Sequence, residues 1–158
     1  RDEIMDNDIR LTAVGDVSRL PRYVRQALSV LMDVSAKNDA MTLALALSYG
    51  GREDIALAVR RLAEEVKAGK VDPESVDEAA LDRRLSTAGM PPVDLMIRTS
   101  GEQRISNFLL WQVAYAELMF IDTMWPDFRK PDLLAAIAEY QRRERRFGRT
   151  SEQLENEG

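Results

Sequence analysis

Arg98, Arg104 and Ser106 lie within nine residues of one another, on either side of Gly101, in the stretch "VDLMIRTSGEQRISNFLLW". Arginine is a forked donor that keeps its charge, so one at a strand end, a second beyond a glycine turn and a hydroxyl close by together suit a phosphate or diphosphate. The competing reading is two surface arginines paired with Glu102 or Asp94. Glu117, at the opening of the next apolar run, reads on composition as an exposed acid at a junction between elements.

The rest of the composition narrows the chemistry. The 158 residues contain no cysteine and no histidine. That excludes disulfides, thiolate nucleophiles, Ser-His-Asp triads and the usual zinc ligand sets within this chain, so a metal held here must take oxygen ligands, as magnesium does. A formal net charge of -5 argues against a nucleic-acid partner. Neither a Walker-type glycine loop nor a dinucleotide fingerprint is present. No apolar run approaches the roughly 20 residues that span a bilayer, and no signal peptide opens the chain, which predicts a cytoplasmic protein.

The elements that must position those residues alternate in type. Residues 9–14, "IRLTAV", alternate apolar and polar before Gly15 and predict a strand. Residues 18–37 carry apolar side chains at three- and four-residue steps, with Ser18 as cap and Pro21 in the first turn, and predict an amphipathic helix. "MTLALALSYGG" reads as a central parallel strand covered on both faces. Helices are predicted over 52–68 and 73–86, strands over 93–98 and 117–125, a helix from Ser106, and a last helix over 131–147. Met96, Phe108, Trp111, Met119, Phe120 and Met124 are expected in the core.

Strands alternating with helices across crossover-length connections predict an α/β fold with a mainly parallel sheet and helices on both faces. Residues 1–149 are expected to form one domain, and the acidic 150–158, "TSEQLENEG", has too little apolar surface to fold. The opening "RDEIMDNDIRL" reads like the tail of an earlier helix, so further sequence is expected upstream.

Four stretches together carry a resemblance: "GDVSRLP", "LALSYGGREDI", "DLMIRTSGEQRISNFLLWQVAYAELMFIDTMWPDF" and "RRERRFG", in that order. They resemble the cis-prenyltransferases of the undecaprenyl diphosphate synthase type, over about residues 9–149. The resemblance implies an enzyme that condenses isopentenyl diphosphate onto an allylic diphosphate such as farnesyl diphosphate, with Mg2+, as a homodimer whose lipid product associates with membranes. It implies that Arg98, Arg104 and Ser106 bind the diphosphate of isopentenyl diphosphate and that Glu117 is a magnesium ligand reaching across the dimer. Arg146 and Gly148 would form an Arg-x-Gly element that approaches the partner's diphosphate site. The apolar strand from Met41 would line the product tunnel, with Gly50 and Gly51 near its mouth.

Members of that family also carry an Asp-Gly-Asn-Gly-Arg-Trp motif with an essential aspartate. This chain contains no such motif. The resemblance therefore implies the carboxyl-terminal part of the enzyme, a sheet incomplete at its N-terminus, and an allylic site lying upstream. Two alternatives remain: a catalytically silent subunit that pairs with an active partner, and a plain phosphate-binding α/β module.

Overall fold

The computed structural model describes residues 1–143. The chain divides into two compact units, Arg1–Met90 and the residues from Pro91 onward. Each contains one pair of parallel strands.

The first unit opens with helix α1, Asp2–Asp6. Strand β1, Ile9–Val14, then runs parallel to β2, Met41–Ala46, with Ile9 opposite Met41 and Val14 opposite Ala46. The crossover contains α2, Arg22–Val34. This helix starts later than its apolar spacing predicts. Leu20 precedes a proline and is extended, as that position requires, so the helix begins only after Pro21. Ser18 accordingly sits in a short 3-10 turn, its N–H donating to Asp16 Oδ1 at 3.1 Å.

Two buried polar side chains fasten the end of α2 to β1. Ser35 is fully buried; its Oγ accepts from Leu11 N at 3.1 Å and donates to Leu31 O at 2.8 Å. Asn38 donates from Nδ2 to Ile9 O at 2.9 Å, and its own carbonyl accepts from Arg10 Nε at 3.1 Å. Backbone groups of β1 that β2 leaves unpaired are thus satisfied locally. Gly15 ends the strand with φ +95°, where a Cβ would lie 2.4 Å from Leu47 O.

The expectation that residues 41–51 form a strand covered on both faces fails. Strand β2 stops at Ala46, and along it only Leu45 is even half-buried; Met41 is 50% exposed. Its only sheet partner among the described residues is β1, and α1 and α2 lie against β1.

Helix α3, Gly51–Lys67, buries Ala58 and Leu62 and ends before Gly69 as its spacing predicts. The predicted helix over 73–86 is instead a 3-10 turn, Pro73–Ser75, and a short α4, Glu78–Asp82. Asp77 breaks it: its backbone is extended and its Oδ1 accepts from Ala80 N at 2.7 Å, so it caps a new start.

In the second unit β3, Leu95–Arg98, runs parallel to β4, Glu117–Phe120, and α5, Lys130–Arg142, follows. Met96, Val113 and Ala136 are buried. Phe108, Phe120 and Met124, expected in the core, are exposed; Phe120 ends β4, whose one sheet partner among the described residues is β3. No helix among the described residues is long and apolar enough to cross a membrane.

Two outcomes follow from the polar fastening of the first unit. Ser35→Ala strands the buried Leu11 N–H and is expected to cost about 1–3 kcal/mol, read as a lower urea midpoint; an unchanged midpoint would contradict the role of Ser35. Asp8, whose backbone is left-handed at φ 52°, accepts from Asp39 N (3.3 Å) and Ala40 N (3.2 Å), and these bonds, that to Asp39 foremost, hold its carboxyl below the ordinary 3.8. A depressed carboxyl stabilises the fold above its unfolded value and loses that contribution as pH falls. The stability gap between wild type and Asp8→Asn is therefore expected at pH 7 and should close below about pH 4; a gap that persists at pH 2 would contradict the assignment.

Candidate functional site

Arg98 is the last residue of β3, and its carbonyl accepts from Ile121 N at 2.8 Å. The turn beyond it is tied to the segment after β4. Ser100 N donates to Thr123 O and Gly101 N to Ile121 O, both at 2.9 Å. Gly101 has φ +67°, and a Cβ there would stand 3.3 Å from Asp122 Oδ1, so glycine suits both the conformation and the close approach.

The helix expected from Ser106 does not form. Ser106, Asn107 and Leu109 all have positive φ, and residues 99–116 run as turns. A helix needs consecutive right-handed residues, so these conformations exclude one. The chain instead turns back on itself and brings Ser106 to Arg98. Arg98 Nη1 donates to Ser106 Oγ at 2.8 Å and also to the carbonyl of Arg104. Met96, Ile97, Arg98, Ile105, Ser106 and Phe108 line a cavity of about 240 Å³ beside these groups.

Arg98, Arg104 and Ser106 are thus gathered in one turn, as their spacing predicts. The alternative reading is realised as well, since Arg104 is ion-paired with Glu102, and Arg98 Nη2 lies 3.9 Å from the same carboxylate oxygen. Half-buried Arg98 is held by two hydrogen-bond acceptors and a longer ion pair, whereas Arg104 is 65% exposed in its side chain. One cation is fixed and the other is free to adjust.

Glu117, the first residue of β4, meets a cation that follows the last residue of α5. Arg143 Nη1 donates to Glu117 Oε2 at 3.0 Å and to Leu118 O at 3.1 Å, and Arg143 Nε lies 3.6 Å from Glu139. The bond to Glu117 foremost holds the Arg143 guanidinium above its ordinary value. Sequence reasoning placed Glu117 at an exposed junction and missed Arg143, 26 residues away. Arg146 and Gly148 lie outside the described residues.

Among the described residues no group of three or more acidic side chains is arranged to hold a metal. Glu117 supplies one carboxylate. It opens β4 opposite Leu95, at the other end of the strand pair from Arg98, so this unit does not bring it to the arginines; one carboxylate suits a magnesium held mainly by diphosphate oxygens and water, and not a cage made by protein alone.

At the ends of β1 and β2, Asp16, Glu53, Asp54 and Arg61 border a second recess of about 170 Å³. Its acids already have partners. Glu53 pairs with Arg19, and buried Asp54 accepts from Ser86 N and Ser86 Oγ, both at 3.0 Å. An acid in the first turn of a helix was a signal that could have marked Asp54 as a structural tie.

This gathering of side chains depends on its turn. Gly101→Ala puts an L residue at φ +67° against Asp122, and the expected cost is about 1–2 kcal/mol. Thermal unfolding at an unaltered midpoint would show that the turn is not constrained in this way.

With this geometry in view, comparison with known proteins is informative. Residues 1–148 match the family model described as putative undecaprenyl diphosphate synthase. An isoprenyl transferase of Chlorobaculum tepidum is 53% identical over 152 residues, which cover 96% of this chain and 57% of that protein. A farnesyl-diphosphate-specific ditrans,polycis-undecaprenyl-diphosphate synthase of Xanthomonas campestris is 46% identical over 97% of this chain and 59% of its own length. In structure, the lavandulyl diphosphate synthase of Lavandula x intermedia, solved with dimethylallyl diphosphate, superposes with a TM-score of 0.90 at 43% identity, over 93% of this chain and 64% of that one. The chain thus spans somewhat over half the length of the relatives it matches. A 53% identity over almost the whole chain, together with a family match to residues 1–148, makes this chain a member of the undecaprenyl diphosphate synthase family of prenyltransferases.

Proposed function

We propose that the protein to which this chain belongs is a cis-type isoprenyl transferase, and that the turn from Arg98 to Ser106 binds the diphosphate of isopentenyl diphosphate. The observation that carries this reading is the gathering of Arg98, Arg104 and Ser106 at the carboxyl end of β3, with Arg98 donating to Ser106 Oγ at 2.8 Å. Ligands of parallel sheets sit at that end of the strands.

The roles follow from the two cations' settings. Arg98, fixed by its acceptors, sets where the diphosphate lies. Arg104, largely exposed, closes on it, and the Ser106 hydroxyl adds a neutral donor once Arg98 turns to the ligand. Holding isopentenyl diphosphate by its charged end orients its double bond toward the allylic carbon and turns a bimolecular encounter into a positioned one. Magnesium, when bound, would neutralise diphosphate charge as the allylic carbon–oxygen bond breaks, and Glu117, at the opposite end of the strand pair from Arg98, would help hold it across a dimer, at a partner's site. Arg143 is then the cation that shares the Glu117 carboxylate with the metal. Arg146 and Gly148 keep their proposed role at a partner's diphosphate site.

The allylic substrate is proposed to be farnesyl diphosphate, a reading supported by the named specificity of the Xanthomonas relative. A prenyl chain suits the exposed apolar side chains of β2, among them Met41 and Leu43. A homodimer is supported by large apolar side chains exposed in the second unit, Tyr115 at 71% and Trp125 at 70%. Work in the cytoplasm, delivering a lipid product to the membrane surface, completes the proposal. The alternative of a catalytically silent partner subunit is disfavoured by the intact clamp, which such a subunit has no need to retain.

The test is condensation by the gene's complete product, with isopentenyl and farnesyl diphosphates, with and without magnesium. Activity should require the metal, fall about ten- to hundred-fold in kcat/KM with Arg98→Ala, and fall with Glu117→Ala. A complete protein that is inert with both substrates would overturn the transferase reading in favour of the silent subunit.

A further inference from the structure

Glu102 lies between the two arginines in sequence and in space. Its Oε2 is ion-paired with Arg104 and stands 3.9 Å from Arg98 Nη2, so one carboxylate oxygen faces both guanidinium groups. Carboxylates and phosphates present the same kind of paired anionic oxygens to a guanidinium fork. We propose that Glu102 is an internal counter-anion of the clamp, occupying between Arg98 and Arg104 the place a diphosphate takes, and that its displacement sets how tightly the clamp holds a diphosphate. This rests on the diphosphate reading of the site.

The local structure suits such a part. The backbone on the N-terminal side of Glu102 is fixed, because Ser100 and Gly101 are bonded to Thr123 and Ile121 at 2.9 Å. The Glu102 side chain is 39% exposed and that of Arg104 is 65% exposed, so the carboxylate can turn out into water without rearranging the strand pair. An ion pair this exposed is weak. A diphosphate, with several anionic oxygens for two arginines and a hydroxyl, outcompetes it, and any anion that enters between the arginines meets the same cost of displacing it.

The sign of the effect separates this role from a structural one. A residue that merely supports the turn weakens ligand binding when replaced; a competing anion strengthens it. Titration calorimetry with inorganic diphosphate, and in parallel inorganic phosphate, on the complete gene product tests the difference, with circular dichroism confirming the fold of each variant. Glu102→Gln and Glu102→Ala are expected to bind diphosphate about two- to five-fold more tightly than wild type, and inorganic phosphate more tightly by a similar factor. Unchanged or weaker diphosphate binding by both folded variants overturns the proposal. Where wild type binds diphosphate and Arg98→Ala weakens it, that result removes the role of Glu102 alone. Where wild type binds no diphosphate, the clamp reading falls and the role of Glu102 falls with it.

Discussion

The hydrogen bond from Ile121 N to the carbonyl of Arg98, 2.8 Å long, continues the β3–β4 ladder one step past the end of β3. Everything at the candidate site depends on it. It fixes the backbone from which the Arg98 side chain leaves, and the two bonds that follow, from Ser100 to Thr123 and from Gly101 to Ile121, fix the turn that brings the chain back. Because parallel strands both end at this side, the turn, the two arginines and Ser106 gather beyond one sheet edge. A two-stranded pair this short has little area to bury, so those ladder bonds, with Met96 and Val113 buried nearby in sequence, define the scaffold.

Charge on that scaffold is arranged in opposed pairs. Arg98 and Arg104 face Glu102, and Glu117 faces Arg143, which in turn meets Glu139. Each pair is partly exposed, and such pairs hold side chains in place without locking them. That is the condition under which a charged ligand can exchange for a partner, as proposed for a diphosphate at Glu102 and for a metal at Glu117. The same pairing accounts for a positive clamp in a chain with a formal net charge of -5.

Local signals were read well where the structure is decided locally. The alternation in "IRLTAV" with Gly15 after it gives the bounds of β1, and the spacing from Ile55 to Val66 with Gly69 gives α3 within a residue or two. Where the outcome depends on distant partners, the sequence is silent. "NFLLW" has the apolar pattern of a helix, yet left-handed residues at 106, 107 and 109 fold it as turns that meet Arg98. The run from Met41 states that a strand wants apolar cover and says nothing about what supplies it. The gathering of Arg98, Arg104 and Ser106 was legible because they sit within nine residues; Arg143 on Glu117 joins positions 26 residues apart, with no pattern linking them.

The most direct measurement is a crystal structure of the protein with diphosphate and magnesium. The account predicts diphosphate oxygens within hydrogen-bonding distance of the Arg98 guanidinium and Ser106 Oγ, Arg104 closed over them, and the Glu102 carboxylate turned away. Diphosphate bound elsewhere, with Arg98 still donating to Ser106 and Glu102 still between the arginines, would contradict it.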